Sequence, residues 1–570
     1  MTKSYQISGF KLVGRGQNET GETFAILTIY EAGVELQHAV PESLLLDEPR
    51  KVAQWLLKKT KRMVSTDIVR GLREQAIENS KTRPKYEVLT RTGWNRRRNA
   101  FLKPNGLIAA PGVMRQNIVT CLDETADASD YSFVPRGDLE AWQRIVVQFA
   151  KGNPRAILAL CISFAGPILP LLNEEHFIVA FVGKGGTGKT SLGALASLAW
   201  GAHRDLEKAR ARGCGLTAKA TINEMDNFYA VNSNMLLFLD EFSSFMPGKA
   251  RSSEALPDFI QAHALGHRRA RLTDSGPRKS WLTIVLLTSN EPLHQLCPHL
   301  DDMRRDAVID RYVEVPGVGK DQSFIEALNG ERNLETFIGK MKDAAIACAG
   351  VAAERLVRHL VMHLRKDRSV VENSLRRKVA EFQREVRHIR VNARRKRRFA
   401  VLYAAGFAAQ KAGVLPLAEA EIKDALVSAL RAHVEFTTPT ASEIPLEALD
   451  VARALARYWH AHRKSVLPLR PNAAPQKGPA GFENRTKSGD VEWLLPGQVF
   501  DAVLGGVSKS VTARNLLAQH SLIATERHGK ERRMVKRRKL ATLSDGTPHR
   551  ESVTTIFIDR LLRFASKQSA

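Results

Sequence analysis

Cysteine is scarce in this sequence, and no two cysteines have the close spacing of a metal-binding pair. The five cysteines are scattered along the chain and odd in number: Cys121, Cys161, Cys214, Cys297 and Cys348. Neither a zinc site nor a disulfide framework has this spacing. The pattern indicates a reducing compartment, and we expect the protein in the cytoplasm.

Long apolar runs are also missing. The longest, 156–172, is interrupted by Gly166, Pro167 and Pro170, whereas a membrane span needs about 20 apolar residues in succession. The N-terminal MTKSYQISGF lacks the apolar segment of a secretion signal. We therefore expect no membrane role, and we predict that the run is a buried helix ending at Ala165.

Acidic residues are too few to balance the basic ones. The 570 residues include 60 Asp and Glu against 86 Lys and Arg, a net charge of +26. Such an excess indicates a polyanionic partner, and DNA is the partner we expect. A basic surface that only keeps the protein soluble is the alternative. The 44% hydrophobic content is that of a globular protein.

The clearest motif is a phosphate-binding loop. A strand-like run, Phe177–Val182, precedes the loop, and a helical run follows it. The loop reads Gly183, Lys184, Gly185, Gly186, Thr187, Gly188, Lys189 and Thr190, with Ser191 next. This is G-x-x-x-x-G-K-[ST] in its required strand–loop–helix context, so all nine residues are predicted to bind nucleotide. We expect ATP and Mg²⁺ as cofactors, with Lys189 on the β- and γ-phosphates and the Thr190 hydroxyl on the metal.

Two later apolar runs end in polar side chains. Asp240 and Glu241 follow one of them, and Asn290 comes soon after the other, Leu282–Leu287. Strands of a parallel sheet bring such ends together at the edge where ligands bind. We expect Asp240 to share the Mg²⁺ shell and Glu241 to polarise the attacking water. Asn290 would contact the γ-phosphate or that water, although Asn before a turn often serves only the turn.

An arginine stands just before a further strand-like run. Arg311 precedes YVEVP and is our candidate for a cation supplied to the nucleotide of a neighbouring subunit. Arg304 and Arg305 are alternatives for this role. A surface salt bridge is the simpler interpretation of Arg311.

Two basic segments have hairpin patterns. The segment 267–280 carries Arg269, Arg271, Arg278 and Lys279 around a tight turn at Asp274–Pro277. Near the C-terminus, helical patterns at Pro496–Leu504 and Ser508–Gln519 precede a basic β-hairpin, which predicts a winged helix. Basic residues of this wing would grip the DNA backbone: Arg532, Arg533, Lys536, Arg537, Arg538 and Lys539.

The motifs predict an α/β protein with several parts. We expect an N-terminal α/β module at 1–145, a P-loop core at 146–325 and a basic helical lid region at 326–467. A linker rich in Pro, Gly and Ala follows at 468–490, and a winged-helix domain at 491–570.

The order of these motifs resembles the AAA+ class of ring ATPases. LLFLDEF, LLTSNEP and VIDRYVEV are similar to the Walker B, sensor 1 and arginine-finger segments of minichromosome-maintenance helicases. This resemblance implies a homo-oligomer, with six subunits expected, that translocates on single-stranded or forked DNA. It also implies that the 267–280 hairpin contacts DNA phosphates in a central pore, and that Arg397 or Arg398 serves as a second sensor. A solvated charged loop is the alternative for the hairpin, and a solvated or DNA-facing run is the alternative for Arg394–Arg398.

More of the chain resembles a bacterial family of unknown-function domains, carried by phages, genomic islands and staphylococcal cassettes. The shared features include RTGW at Arg91–Trp94, SFAGP at Ser163–Pro167, LTAKATINE at Leu216–Glu224, and RRFA at Arg397–Ala400. Some members act as self-loading helicases. The resemblance therefore implies an ATP-dependent DNA helicase, or replication initiator, of a mobile genetic element.

Two other functions fit the same motifs. One is a DNA-binding initiator or loader that ATP switches without unwinding. The other is a DNA partition ATPase, because Lys184 makes the loop KGGTGKT, which resembles the loop of ParA-type proteins. The adjacent Asp240–Glu241 pair and the long N-terminal extension are departures from that type.

Overall fold

The structure is a computed structural model. It describes residues 10–31, 34–60, 62–82, 84–113, 117–122, 135–201, 215–217, 222–240, 255–267, 280–296, 310–437, 448–470, 472, 480–486, 491–504, 507–528, 531–545 and 547–566. The chain divides into two compact units, Met1–Thr438 and Pro439–Ala570.

The first unit begins with a mixed sheet and two amphipathic helices. Its elements are β1 (Phe10–Gln17), β2 (Thr23–Glu31), β3 (Val34–Pro41), α1 (Glu42–Leu45), α2 (Pro49–Thr60), α3 (Thr66–Asn79), β4 (Tyr86–Leu89), β5 (Gly93–Trp94), β6 (Ala100–Lys103), β7 (Gly106–Ala109) and β8 (Ile118–Thr120). The five-stranded sheet has the order β3-β2-β1-β4-β8, with β1 and β4 parallel. Helix α3 begins after Ser65, whose side chain accepts a hydrogen bond from the Ile68 N–H.

A small antiparallel sheet, β5-β6-β7, joins this module to the rest of the unit. The rings of Trp94 and Phe101 meet edge to face, with centroids 5.1 Å apart, and Phe101 stacks on Trp200. All three residues belong to the hydrophobic core that also surrounds the P-loop strand. The small sheet therefore shares its apolar interior with the P-loop core, whereas the five-stranded sheet and helices α1–α3 pack into hydrophobic clusters of their own.

The P-loop core is a parallel sheet between helices. Its elements are α4 (Leu139–Ile145, continued by a π-helical turn at Val146–Ala150), α5 (Pro154–Ala165), α6 (Leu169–Leu172), β9 (Phe177–Val182), α7 (Lys189–Leu198), β10 (Gly215–Thr217), α8 (Ile222–Val231), β11 (Leu236–Asp240), α9 (Ala255–Leu265), β12 (Ile284–Ser289), α10 (Leu293–Leu296) and β13 (Tyr312–Pro316). The strand order is β10-β11-β12-β9-β13, and every pairing is parallel. β9, β11 and β12 are buried throughout, as their continuous apolar sequences require for a sheet covered on both faces.

Helices complete the first unit: α11 (Leu334–Ala347), α12 (Val351–Lys366), α13 (Arg368–Glu385), α14 (Ala393–Lys411) and α15 (Glu419–Thr437). Helix α14 lies very close to α5, since a Cβ placed on Gly406 would come within 2.6 Å of the Cys161 sulfur. Helix α5 itself ends at Ala165, as predicted. Among the described residues, no helix combines the length and the apolar character needed to cross a bilayer.

The second unit contains α16 (Ala448–His462), β14 (Leu467–Pro468), β15 (Phe482–Arg485), β16 (Val491–Pro496), α17 (Gly497–Leu504), α18 (Val507–Gln519), β17 (Glu526–His528), β18 (Glu531–Arg533), β19 (Lys536–Thr542), β20 (Pro548–Phe557) and α19 (Ile558–Ala565). Its main sheet has the order β14-β15-β16-β20-β19, and β17 pairs with β18. Helices α17 and α18 follow the predicted helical patterns, and the basic strands β17 to β19 come after them. The winged-helix assignment itself stays a prediction.

Two boundaries differ from the sequence prediction. Helix α16, which falls in the segment predicted as lid, belongs to the second unit because its Trp459 packs against Trp493. The predicted linker, 468–490, contributes strand β15, because Phe482 is buried against Leu494. The many Pro and Gly residues of this stretch favoured a linker, although Phe482 is a buried apolar residue within it.

Candidate nucleotide site

The P-loop joins the carboxyl end of β9 to the start of α7. Gly186 and Gly188 adopt φ angles of +76° and +97°, which L side chains rarely tolerate. A Cβ on Gly185 or Gly186 would meet no atom within 4 Å, so the loop faces open space. Backbone N–H groups and the first turn of α7 converge there, an arrangement that suits phosphate.

Lys189 connects the loop to a neighbouring strand. Its ammonium donates to the carbonyl oxygens of Gly183 and Lys184, at 2.6 and 2.5 Å. It also donates to the Asn290 side-chain oxygen at 3.2 Å. Burial lowers the pKa of Lys189, and Asp240 acts against this by favouring the charged form. The predicted phosphate cation and the predicted sensing amide are therefore in direct contact.

Asp240 lies beside Thr190. One oxygen of its buried carboxylate accepts hydrogen bonds from the hydroxyls of Thr190, at 2.9 Å, and Thr288, at 2.7 Å. A hydroxyl and a carboxylate oxygen together suit Mg²⁺, which takes few protein ligands and completes its shell with water and phosphate oxygens. These residues fit the predicted cofactor. The described residues contain no cluster of three or more His, Cys, Asp or Glu that could hold a metal in another way.

Thr288 was missed in the sequence. Threonine is common in strands, so its place in the run IVLLTS gave no sign of a role. Its side chain is nevertheless buried and orients Asp240. The only available signal was a hydroxyl near the carboxyl end of an otherwise apolar strand.

A second missed contact comes from the loop after β13. The Gln322 side-chain oxygen accepts from the Lys184 N–H at 3.1 Å, and the Phe324 N–H donates to the Thr187 carbonyl oxygen at 2.9 Å. Gln322 itself has a φ of +53°. This loop therefore braces the P-loop from the side of β13.

Arg311 lies at the other edge of the sheet. It immediately precedes β13, and its carbonyl oxygen accepts from the Ile178 N–H at the start of β9. The five residues of β13 separate it from the P-loop edge by about 16 Å. The structure brings Lys189, Asp240 and Asn290 together but leaves Arg311 apart from them.

Arg397 and Arg398 are also at this amino edge, contrary to a second-sensor role within the same chain. Arg397 donates to the Glu174 carboxylate at 2.7 Å. Arg398 is 5% exposed, lies 3.6 Å from the same carboxylate and packs over the ring of Phe177. Both arginines are therefore committed to the segment that enters β9, and Arg398 is not a solvated residue.

Several predicted residues lie outside the described part of the chain: Glu241, Arg269, Arg271, Arg278, Lys279, Arg304 and Arg305. The base of the predicted 267–280 hairpin is described, and His267 and Ser280 form an antiparallel bridge there. In the second unit, Arg532 and Arg533 lie in β18, and Lys536, Arg537 and Arg538 lie in β19. Of these five side chains, the structure describes that of Arg538.

The RTGW and SFAGP motifs meet beside the acidic strand. The Trp94 indole N–H donates to the Pro167 carbonyl oxygen at 2.9 Å, and the Thr92 hydroxyl donates to the Val231 carbonyl oxygen, also at 2.9 Å. Asn234, just before β11, accepts from the Trp94 backbone N–H at 3.0 Å. Close packing excludes side chains at Gly93 and Gly166, where a Cβ would come within 2.7 Å of Asn234. The motifs therefore fasten the N-terminal module to the strand that carries Asp240.

Residues 8–256 match a family described as "Domain of unknown function (DUF927)". This match spans the N-terminal module, the P-loop and the acidic strand. No curated protein matches the sequence.

The fold is similar to that of a solved SCCmec type IV Cch protein described as an active helicase. The TM-score is 0.53 at 16% identity, over 97% of this chain and 95% of that one. The C-terminal region of NrS-1 in its A form, without ligand, is similar at a TM-score of 0.26 and 10% identity, over 77% of this chain and 90% of that one. That score is too low to establish a shared fold. The predicted α/β class is confirmed, whereas the likeness to minichromosome-maintenance helicases stays a prediction.

Proposed function

We propose that this chain is an ATP-dependent DNA helicase of a mobile genetic element, with an AAA+ core that acts as a ring. The observation that carries the proposal is the convergence of three strand ends. Thr190 contacts Asp240 at 2.9 Å, and Lys189 contacts Asn290 at 3.2 Å. The DUF927 match, the fold shared with an active helicase and the +26 charge support it.

Each strand contributes one part of the chemistry. Bound ATP with Mg²⁺ supplies the bond to be broken and a cation that offsets its charge. Lys189 and the loop N–H groups hold the phosphates. Thr288 fixes the rotamer of Asp240, and Glu241, the next residue, would accept a proton from the attacking water. Asn290 links the lysine to the strand between β9 and β11, so a change at the γ-phosphate would reach that strand.

The position of Arg311 favours an oligomer. Because Arg311 lies at the edge opposite to its own P-loop, it could reach a nucleotide only in another subunit. A ring that sets the amino edge of one sheet against the carboxyl edge of the next would supply this cation repeatedly. DNA would pass along the 267–280 hairpins. The two ends of this protein hairpin pair through His267 and Ser280, next to Trp281 in the chain.

The proposal is tested by ATP hydrolysis with and without single-stranded DNA, together with separation of a forked duplex. Wild type should hydrolyse ATP faster with DNA and unwind the fork, and Glu241→Gln should lose about 10²-fold or more of the hydrolysis. Glu335→Gln, at an exposed carboxylate of α11, is the matched control and should behave as wild type.

Other outcomes would redirect the proposal. Hydrolysis without unwinding would indicate the ATP-switched initiator or loader. Slow hydrolysis indifferent to DNA, with dimerisation abolished by Lys184→Ala, would indicate a partition ATPase. Lys184 is exposed on the loop, so this substitution removes its charge without opening the core.

A further inference from the structure

A carboxyl group lies within an apolar face of the P-loop sheet. Side chains of β13 alternate between the two faces, so that Val313 and Val315 belong to one hydrophobic cluster and Tyr312 belongs to the cluster on the other face. Glu314 falls on the same face as Tyr312 and is 6% exposed. Because burying a carboxyl group costs free energy, an apolar residue would suit this position better. A glutamate here needs a reason other than packing.

The Glu314 side chain extends from β13 to the segment that follows β12. Its carboxyl oxygen accepts a hydrogen bond from the Leu293 N–H at 2.6 Å. In register, Glu314 lies beside Ala180 of β9, and Ala180 lies beside Leu287 of β12. The methyl group of Ala180 takes little space on this face, which leaves room for the longer side chain of Glu314. One hydrogen bond therefore connects β13 with the end of β12, although β9 separates the two strands.

This hydrogen bond closes the turn that carries Asn290. At the start of the turn, the Ser289 hydroxyl donates to the Glu291 carbonyl oxygen at 2.6 Å and accepts from the Glu291 N–H at 3.2 Å. At its end, the Leu293 N–H is held by Glu314. Between these two contacts, the Asn290 side chain meets the P-loop ammonium at 3.2 Å. The position of this amide therefore depends on both ends of the turn.

Glu314 is held in place by two further elements. The His433 ring of α15 donates from Nδ1 to the Glu314 carbonyl oxygen at 2.7 Å. Burial raises the pKa of Glu314 to about 7, and the Leu293 N–H and the charge of Arg395 in α14 act against this rise. The acid and the carboxylate both keep an oxygen that accepts from an N–H. The contact with Leu293 is thus available in either form.

Strand β13 also begins directly after Arg311. Three residues separate Arg311 from Glu314 along an extended strand, so the two move with the same backbone segment. A displacement of β13 at the amino edge would therefore reach the turn of Asn290 through one hydrogen bond.

We infer that Glu314 is a positioning residue for ATP hydrolysis, which holds the turn of Asn290 in place through the Leu293 N–H. The inference rests on the ATPase activity proposed above. It gives Glu314 no contact with the nucleotide, so its loss should affect turnover and leave ATP binding almost unchanged.

The test measures kcat for ATP hydrolysis and, by calorimetry, the affinity for ATP with Mg²⁺, both on the full-length protein. Glu314→Met keeps the length of the side chain but has no oxygen for Leu293. It should lower kcat about tenfold or more, because a misplacement of about 1 Å can cost up to about 10²-fold. Its ATP affinity should stay within about threefold of wild type, which also shows that the variant folds.

Two variants separate this role from a general defect of the strand. Glu314→Gln keeps a carbonyl oxygen for the Leu293 N–H and should retain kcat within about twofold. Val315→Ala is the matched control, because it removes apolar contacts on the opposite face of the same strand, and its kcat should also stay within about twofold.

A double-mutant cycle connects Glu314 with Asn290. If Glu314 acts through Asn290, Glu314→Met should lower kcat by less than about twofold in an Asn290→Ala background. A further loss of about tenfold in that background would overturn the inference, since the two residues would then act independently.

Other outcomes would also overturn the inference while leaving the proposed ATPase intact. These are an unchanged kcat in Glu314→Met, and an equal loss of kcat in Glu314→Gln and Glu314→Met. If Glu314→Met does not fold, Glu314→Leu carries the same expectation. Failure of wild type to hydrolyse ATP would instead remove the proposed function, and the inference with it.

Discussion

The packing of α7 against β11 makes a sharp prediction at Gly193. A Cβ added there would lie 2.1 Å from the ring of Phe238, which is 6% exposed and cannot swing into solvent. Phe238 stands two residues before Asp240, and Gly193 three residues after Thr190. Gly193→Ala should therefore push α7 outwards and separate Thr190 from Asp240.

Two opposing effects set the change in the free energy of unfolding that Gly193→Ala should cause. Overpacking a core costs about 1–3 kcal/mol, and a 2.1 Å approach belongs at the upper end. Alanine gains about 1 kcal/mol over glycine within a helix. The free energy of unfolding should thus fall by about 2 kcal/mol. Gly339→Ala is the matched control: Gly339 lies in α11 with no atom within 4 Å of its added Cβ, so it should gain about 1 kcal/mol.

Urea titration measures the free energies, and a double-mutant cycle isolates the contact. Phe238→Leu removes the ring atoms that the new Cβ meets, so Gly193→Ala should cost about 2 kcal/mol less in that background. Steady-state ATPase activity should fall in Gly193→Ala and recover partly in the double variant. If Gly193→Ala proved as stabilising as Gly339→Ala, the close packing of α7 on β11 would be refuted.

Three further predictions concern other sites. Asn290→Ala should lower kcat for ATP about 10²-fold with ATP affinity changed less than threefold; an equal loss of affinity would indicate a role in binding. Burial raises the pKa of Glu314 to about 7, so its carboxyl stabilises the fold below about pH 4.5 and loses that effect as the pH rises to 7. Glu314→Gln should make the free energy of unfolding less dependent on pH and raise it by roughly 3 kcal/mol at pH 8. Urea titrations from pH 4 to 8 that show the same pH dependence as wild type would contradict this prediction. Alanine at both Arg532 and Arg533 should make the affinity for duplex DNA less dependent on salt: the negative slope of log affinity against log salt concentration should decrease in magnitude by roughly 1.8. An unaltered slope would show that the wing does not contact DNA.

The strand ends were predictable because parallel strands leave little freedom. An apolar run followed by Asp240, and another followed by Asn290, must end at one edge once β9 carries a P-loop. The same logic put Lys189 and Thr190 near them. The sequence could not reveal Thr288, because a threonine in a strand needs no further reason.

Contacts that depend on the path of the chain between elements were beyond prediction. Gln322 reaches Lys184 from a loop far along the chain and with a left-handed backbone. The resemblance to AAA+ ATPases implies that Arg397 or Arg398 reaches the nucleotide as a second sensor. The sequence did not say that Glu174, at the amino edge, would bind Arg397.

The two sheet edges divide the chemistry within one chain. The carboxyl edge holds Lys189 and Asp240, and the cations at the amino edge are balanced locally, with Arg397 on Glu174 and Arg394 on Asp310. Within one chain the two edges of the sheet cannot approach each other, because backbone geometry fixes the length of β13 at about 16 Å. A cation that precedes β13 can therefore act on a nucleotide only after two chains meet. In the proposed ring, assembly would be part of the active site, and the surface around Arg311 at the amino edge would belong to that site together with the P-loop.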